Sequence, residues 1–252
     1  MNRDELYAFW RFEEDFPFSG WSFYHLDERW EEEPLPWDFR TEVLHTLRHS
    51  DMLLDVDTGD EFLLSLGHPY ERTAVTEFPN PDGGSIANQL APLGIRVASC
   101  DASCDELPFD DNTFDVVICR HGSYVRRELY RVLKSGGIVM MQQIGGRNNE
   151  LLARRLLPGH EMPYPQHHLS AEVARFKQTG FEVLDAREYF PKLRFFDSGA
   201  VVYYATMMDW EFPGFSVDAC KDELYALEKE IAERGFVQSM QHRFFLVARK
   251  PY

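Results

Sequence analysis

Short apolar runs alternate with amphipathic or polar segments along the chain from residue 51 onward. The run MLLDV at residues 52–56 is followed by the polar turn DTGD and then by the apolar helical segment EFLLSLG. Four further apolar runs, each bounded by turn residues or a helical pattern, are TAVTEF, IRVASCD, FDVVIC and IVMMQQI. Strands that alternate with helices are typical of a parallel sheet covered on both faces. The pattern therefore predicts an α/β fold with a doubly wound sheet.

The second half of the chain is less regular. NNELLARRLL and SAEVARFKQTG predict helices, FEVLDAREYF predicts a sixth strand, and HRFFLVARK predicts a last strand near the C-terminus. Residues 217–234 have apolar positions and acid–base pairs at helical spacing, which predicts an amphipathic helix. SGAVVYYATMMDW has the β-branched content of a strand, but its length favours a buried helix, and both interpretations stay open.

The first 40 residues precede the alternating pattern and are rich in aromatic and acidic side chains. We expect residues 1–40 to form a helix and loop that dock on a domain spanning 41–252, with a helical insertion around 191–216. A second interpretation gives this segment the role of a lid over the carboxyl edge of the sheet, where α/β sheets bind ligands.

Charge and cysteine content narrow the classes of partner. The 252 residues carry a formal net charge of −16, which repels phosphate backbones and argues against a nucleic-acid partner. Four cysteines make neither a disulfide framework nor a zinc site, and no histidine motif predicts a metal.

The acidic N-terminus and the absence of a long apolar run predict a cytoplasmic protein without a membrane segment. The sequence leaves the oligomeric state open.

Polar residues follow several predicted strands at the point where each strand ends. Asp55 closes the first strand and Gly59 follows it, so the backbone there can approach a ligand closely. Glu77 lies 22 residues beyond Asp55, a spacing that suits an acceptor for ribose hydroxyls. Asp101 follows the third strand and can accept a hydrogen bond from an adenine amino group. Together these residues predict a nucleoside-binding site at the carboxyl edge.

At this point the chain resembles the class I S-adenosylmethionine-dependent methyltransferases, in particular the methyltransferase type 11 group, from about Asp38 to the C-terminus. The resemblance rests on LLDVDTGD, on Glu77, on Asp101 with Ala102, on LPFDDNTFDVVICRH, and on ELYRVLKSGGIVMM. It implies a Rossmann-like seven-stranded sheet, mostly parallel with an antiparallel C-terminal strand, and S-adenosylmethionine as cofactor. The residues that the resemblance assigns to the cofactor are Asp55, Asp57, Gly59, Glu77, Asp101 and Ala102.

The chain departs from the family in its first motif. The family pattern is acid-x-Gly-x-Gly-x-Gly, whereas this chain keeps only Gly59 and places Asp57 and Glu61 nearby. Two interpretations follow: a working site with an altered loop, or a non-catalytic binding or regulatory protein on the same fold. A nicotinamide-dependent dehydrogenase expects G-x-G-x-x-G after the first strand, a pattern that this loop lacks.

The resemblance also implies an in-line transfer of a methyl group to an acceptor, for which we expect a small molecule or a protein. His121, just after the fourth strand, is the candidate base, with a hydrogen-bonded structural histidine as the alternative. Arg120 is a candidate for binding an anionic group of the substrate or for pairing with a nearby acid. The aromatic rings of Tyr24, Trp37 and Phe39 are candidates for holding the cationic sulfur or lining the substrate site.

Overall fold

The computed structural model describes residues 1–18, 23–56, 59–77, 87–100 and 105–252, without the side chain of Asp60. Three of the predicted cofactor residues, Asp57, Asp101 and Ala102, lie outside the described residues. No helix in the described ranges combines the length and the apolar character needed to span a membrane.

The chain divides into two compact units. The first unit comprises 1–35, 146–166 and 189–242, and the second comprises 36–145, 167–188 and 243–252. This division differs from the predicted boundary at residue 40, because the N-terminal segment shares its unit with two later stretches of the chain. The predicted insertion around 191–216 likewise belongs to the first unit.

The second unit is built around a seven-stranded sheet. Its strands are β2 (Leu53–Val56), β3 (Thr73–Glu77), β4 (Arg96–Ser99), β5 (Phe114–Arg120), β6 (Leu133–Ile144), β7 (Glu182–Tyr189) and β10 (Arg243–Arg249), arranged in the order β4-β3-β2-β5-β6-β10-β7. The strands from β4 to β6 pair in parallel, whereas β10 runs antiparallel to β6. The predicted fold class, including the antiparallel C-terminal strand, is confirmed.

Helices accompany this sheet along the chain. They are α2 (Phe39–Thr46), α3 (Asp60–Ser65), α4 (Ala87–Leu90), α5 (Arg126–Val132) and α7 (Leu169–Thr179). α5 ends at Val132, because the chain enters the sheet at Leu133, which pairs with Phe114 of β5. Apolar side chains of the strands and of α5 and α7 form one core, with Val117, Leu129 and Phe176 almost fully buried.

The first unit contains a three-stranded antiparallel sheet that the sequence pattern does not predict. Its strands are β1 (Trp30–Glu32), β8 (Lys192–Phe195) and β9 (Val237–Met240), in the order β1-β8-β9. The helices of this unit are α1 (Arg3–Glu14), α6 (Glu150–Leu156), α8 (Ser198–Met207) and α9 (Lys221–Arg234). The segment SGAVVYYATM is therefore a helix, and its apolar residues are buried around its whole circumference.

The N-terminal helix is a core element of the first unit. Trp10 of α1 is fully buried, and its indole Nε1–H donates a hydrogen bond to Ser198 Oγ of α8 at 2.7 Å. At Gly199 the two helices approach so closely that an added Cβ would stand 2.4 Å from the ring of Phe9. The N-terminal helix is thus part of the packing of this unit.

Glu172 of α7 is the centre of a buried ionic cluster in the second unit. Its carboxylate is fully buried and accepts hydrogen bonds from Arg126 Nε (2.9 Å), Arg175 Nη1 (2.6 Å) and the Tyr124 hydroxyl (2.9 Å). Desolvation raises the pKa of this carboxyl, but contacts with His167 and Arg126 outweigh it and hold the pKa well below its usual range. The cluster thereby joins α7 to the start of α5.

We predict that Glu172→Gln lowers the free energy of unfolding at pH 7 by about 1.5–3 kcal/mol, because it weakens the charge-assisted hydrogen bonds that the buried carboxylate accepts from the partly exposed Arg126 and Arg175. The measurement is urea unfolding of both proteins. Folding lowers the pKa of the Glu172 carboxyl. Its ionised form therefore stabilises the folded protein above the pKa of the unfolded state, and this stabilisation is lost as the pH falls through the acid range. The difference between wild type and variant should therefore shrink below about pH 4.

The matched control is Glu182→Gln, which neutralises an exposed carboxylate paired with Arg249. An exposed pair of this kind contributes about 0–1 kcal/mol. If Glu172→Gln costs no more than the control, the ionic cluster does not stabilise the fold.

Candidate cofactor and substrate site

The carboxyl ends of four parallel strands lie at one edge of the central sheet. Val56 at the end of β2 pairs with Thr76 of β3, and Glu77 at the end of β3 pairs with Ser99 of β4. On the other side of β2, Asp55 pairs with Ile118 of β5. This register places the carboxyl ends of β2, β3 and β5 at the same edge, as the sequence predicts.

Asp55 and Gly59 mark the first of these strand ends. Asp55 is fully buried within β2, between Val75 and Ile118 in the register. Gly59 begins α3 with φ +104°, a conformation that disfavours residues with a side chain. No described atom lies within 4 Å of the position where a Cβ would stand. Among the described atoms, none blocks the close approach of a ligand to the Gly59 backbone, and Glu61, two residues further on, is exposed.

Glu77 is the last residue of β3, and its side chain is half-buried. Its backbone carbonyl accepts a hydrogen bond from the Cys100 N–H at 2.9 Å, which joins the ends of β3 and β4. An acid at this strand end is placed as the sequence predicts for a ribose-binding residue.

Arg120 ends β5 and is half-buried. Its guanidinium group lies over the ring of Phe62 of α3, 5.4 Å from the ring centre. Desolvation lowers the pKa of Arg120, and the negative charge of Asp38 partly opposes this shift. Arg120 nonetheless stays cationic at neutral pH, because an arginine titrates far above it. It therefore supplies positive charge beside His121.

His121 has an unusual backbone conformation, with φ +65°, which is uncommon for a residue other than glycine. Its backbone N–H donates to the carbonyl of Gln142 in β6 at 2.9 Å, and its Nε2 lies 3.3 Å from Gln142 Nε2. The residue as a whole keeps solvent-exposed surface, but the protein atoms packed around its imidazole ring still remove much of the ring's hydration. This desolvation, with the positive charges of Arg243 and Arg120, lowers the pKa of His121 to about 3. The imidazole is therefore neutral at physiological pH and a weak base.

The three aromatic candidates have different surroundings. Tyr24 belongs to the first unit and is exposed, in a short 3-10 turn. Trp37 and Phe39 belong to the second unit, are almost fully buried, and pack against the ring of Phe245. Trp37 also donates its Nε1–H to Gln142 Oε1 at 2.9 Å. A role for these rings in holding the cationic sulfur stays a prediction.

Sequence reasoning missed Gln142 and Arg243. Gln142 lies within the apolar run IVMMQQI, where a pair of glutamines in a buried strand is a polar signal that could have singled it out. Arg243 begins β10 and contributes positive charge to the surroundings of His121. The link between Arg243 and His121 exists only in the folded sheet, because their strands lie on either side of β6.

The described residues fit an adenosyl group at two places. The carboxylate of Glu77 can accept hydrogen bonds from ribose hydroxyls at the end of β3. No described atom fills the space beside the Gly59 backbone, where a ligand could lie against the end of β2. Within the described ranges, no group of three or more histidine, cysteine or acidic side chains is arranged to hold a metal ion.

Comparison with known proteins agrees with the fold. Residues 80–141 match the family model described as methyltransferase domain. The structure of a putative methyltransferase from Bacillus halodurans C-125 aligns with a TM-score of 0.52 and 16% identity, over 84% of this chain and 99% of its own. The YcgJ protein of Bacillus subtilis aligns over 84% of this chain and 98% of its own, with a TM-score of 0.50 and 18% identity. The curated proteins include no significant match.

The chain has the sheet order of the class I methyltransferase fold, and its segment 80–141 matches the methyltransferase domain model. The resemblance that the strand-end motifs indicate is therefore confirmed, and S-adenosylmethionine is the cofactor that this class implies.

We predict that His121 makes the folded protein less stable as the pH falls from about 6.5 toward 3. The unfolded imidazole takes up a proton near pH 6.5, whereas the folded one resists protonation to about 3. His121→Asn, which tolerates positive φ, should therefore lose less stability than wild type between pH 7 and pH 5. Urea unfolding at both pH values measures this difference.

The matched control is His49→Asn, which replaces an exposed histidine. Equal losses of stability in wild type and His121→Asn would show that His121 takes up its proton as readily in the folded protein as in the unfolded chain.

Proposed function

We propose that this protein is an S-adenosylmethionine-dependent methyltransferase that acts on a small-molecule acceptor. The observation that carries the proposal is the convergence of Asp55, Gly59 and Glu77 at the carboxyl edge of a sheet with class I order. The segment 80–141, which matches the methyltransferase domain model, runs from β4 into β6 and includes the strand that presents Arg120 and His121.

Each residue has a distinct part in this proposal. The Glu77 carboxylate would accept hydrogen bonds from the ribose hydroxyls, and the backbone at Gly59 would lie against the methionine portion. Asp57, Asp101 and Ala102 keep the cofactor roles that the resemblance implies. The cofactor would supply a methyl group on a positively charged sulfur. The lone pair of the acceptor would form a bond to that carbon as the carbon–sulfur bond breaks in line with it, and S-adenosylhomocysteine would leave. The protein would contribute mainly placement and exclusion of water.

The charge of the protein supports a small acceptor. The net charge of −16 disfavours a nucleic acid, whereas Arg120 and Arg243 bring positive charge to His121 at the carboxyl edge. A local positive field within an acidic protein suits a small acceptor with an anionic group. A protein acceptor is the alternative within the same reaction class.

A non-catalytic binding or regulatory protein is the second candidate function. The altered first motif favours it, because Asp57 and Glu61 bring carboxylates to a loop that in the family is rich in glycine. These carboxylates would repel the carboxylate of the cofactor and weaken binding. A protein that keeps the fold but binds the cofactor weakly would bind a ligand without catalysing methyl transfer.

We predict that S-adenosylmethionine binds with a Kd between micromolar and submillimolar, and that Glu77→Ala weakens binding by about 1.5–3 kcal/mol. This magnitude is the usual contribution of hydrogen bonds to a charged group. Isothermal titration calorimetry measures both values. Glu71→Ala, an exposed acid in the turn before β3, is the matched control and should bind as wild type does.

The absence of both heat and a thermal shift at millimolar cofactor would overturn the proposed activity. Binding that is equal in Glu77→Ala and wild type would show that the ribose lies elsewhere.

We also predict that the double variant Asp57→Gly with Glu61→Gly binds the cofactor more tightly than wild type, because it removes two negative charges from the altered loop. Calorimetry gives the affinity, and a methyl-transfer assay across small carboxylate-bearing acceptors gives turnover. Affinity that falls in the double variant would mean that the carboxylates assist binding, which contradicts the account of a weakened loop.

A further inference from the structure

A hydrogen-bonded chain of three side chains, Trp37, Gln142 and His121, fixes the chemistry of the imidazole at the carboxyl edge. An indole nitrogen only donates hydrogen bonds. The Gln142 atom that lies 2.9 Å from Trp37 Nε1 is therefore its carbonyl oxygen. This contact sets the orientation of an amide group whose two ends are otherwise hard to distinguish.

The orientation of Gln142 determines the tautomer of His121. With its oxygen held by Trp37, the amide turns its NH₂ group toward His121 Nε2, at 3.3 Å. An NH₂ group donates hydrogen bonds, so Nε2 must accept and carries no proton. The proton of a neutral imidazole then lies on Nδ1. In a doubly protonated ring, the Nε2–H would point at the NH₂ group of Gln142, so that two hydrogen-bond donors would face each other without an acceptor.

The surroundings of His121 also oppose a positive charge on the ring. Arg120 precedes it on β5 and Arg243 faces it from β10, while Gln142 on β6 presents a neutral amide. The backbone is held in the left-handed region by the hydrogen bond from the His121 N–H to the Gln142 carbonyl. Among the described residues no hydrogen bond to His121 Nδ1 occurs, and the residue is exposed. The Nδ1–H is therefore available to a ligand.

We propose that Trp37 and Gln142 are positioning residues that hold His121 as a neutral Nδ1–H donor, which binds a carboxylate of the ligand in place of acting as a general base. The ligand part of this inference rests on the proposed function. The carboxylate could come from the methyl acceptor or from the amino-acid portion of the cofactor. Both sources share the chemistry of an anionic oxygen that accepts a hydrogen bond within the positive field of Arg120 and Arg243.

Nuclear magnetic resonance of the full-length protein with ¹⁵N-labelled histidine tests the tautomer without any ligand. The nitrogen shifts of His121, assigned by comparison with His121→Asn, should show protonated Nδ1 and unprotonated Nε2 from pH 5.5 to 8. A protonated Nε2, or titration of the ring within that range, would overturn the proposal. Because this readout needs no cofactor, it stands even if the protein fails to bind S-adenosylmethionine.

Gln142→Glu is the sharpest variant, because the carboxylate still accepts from Trp37 but presents an acceptor to His121. We expect the proton to move to Nε2 and the pKa of His121 to rise by about 1–3 units. Gln238→Glu makes the same chemical change on β9 of the three-stranded sheet and should leave the His121 signals unchanged. Trp37→Phe removes the donor that orients the amide and should give a mixture of tautomers.

A purely structural Gln142 would leave the tautomer and pKa of His121 unaltered in Gln142→Glu, which would contradict the positioning role. Circular dichroism of each variant confirms that it is folded before its histidine signals are interpreted.

Three probes distinguish the source of the carboxylate. Acetate at constant ionic strength, S-adenosylhomocysteine and 5′-methylthioadenosine are titrated while the His121 Nδ1–H signal is followed. A shift with acetate that persists beside S-adenosylhomocysteine indicates the acceptor carboxylate. A shift with S-adenosylhomocysteine but not with 5′-methylthioadenosine, which lacks the amino-acid portion, indicates the cofactor carboxylate. No shift with any probe, or no shift with acetate together with equal shifts from the two adenosyl compounds, would overturn the carboxylate-binding role.

Discussion

The parallel hydrogen-bond register of the central sheet is the constraint on which the candidate site depends. β2 pairs in parallel with β3 on one side and with β5 on the other, so all three strands end at the same edge. Reversal of any one strand would carry the residues after it to the opposite edge. Gly59, Glu77 and His121 come from distant parts of the chain and share this edge because of the register.

Polar contacts with the neighbouring strand β6 give His121 its particular chemistry. A residue other than glycine in the left-handed region costs of order 1–3 kcal/mol, which the surrounding contacts must offset. Gln142 contacts both the backbone and the ring of His121, and Trp37 orients Gln142. Sequence reasoning identified His121 from its place after a strand. It could not identify the tautomer, because the orienting Trp37 lies 105 residues from Gln142 in the chain.

The central sheet could be predicted because strands that are buried on both faces have nearly continuous apolar sequences. β2 and β5 follow this rule, and β10 follows the family pattern for the last strand. The three-stranded sheet could not be predicted in this way. Its strand β1 is the three-residue segment WEE, too short for a periodic signal, and its partners lie far along the chain. Pairing between such distant, short segments is decided by tertiary packing, and the local sequence pattern contains little information about it.

The central claim is that the strand ends at Asp55, Gly59 and Glu77 surround one adenosyl group. A crystal structure of the protein with S-adenosylhomocysteine tests it most directly. The account predicts the ribose hydroxyls within hydrogen-bond distance of the Glu77 carboxylate and the ligand seated against the backbone at Gly59. A ligand bound elsewhere, or a carboxyl edge filled by the chain's own side chains, would contradict the account.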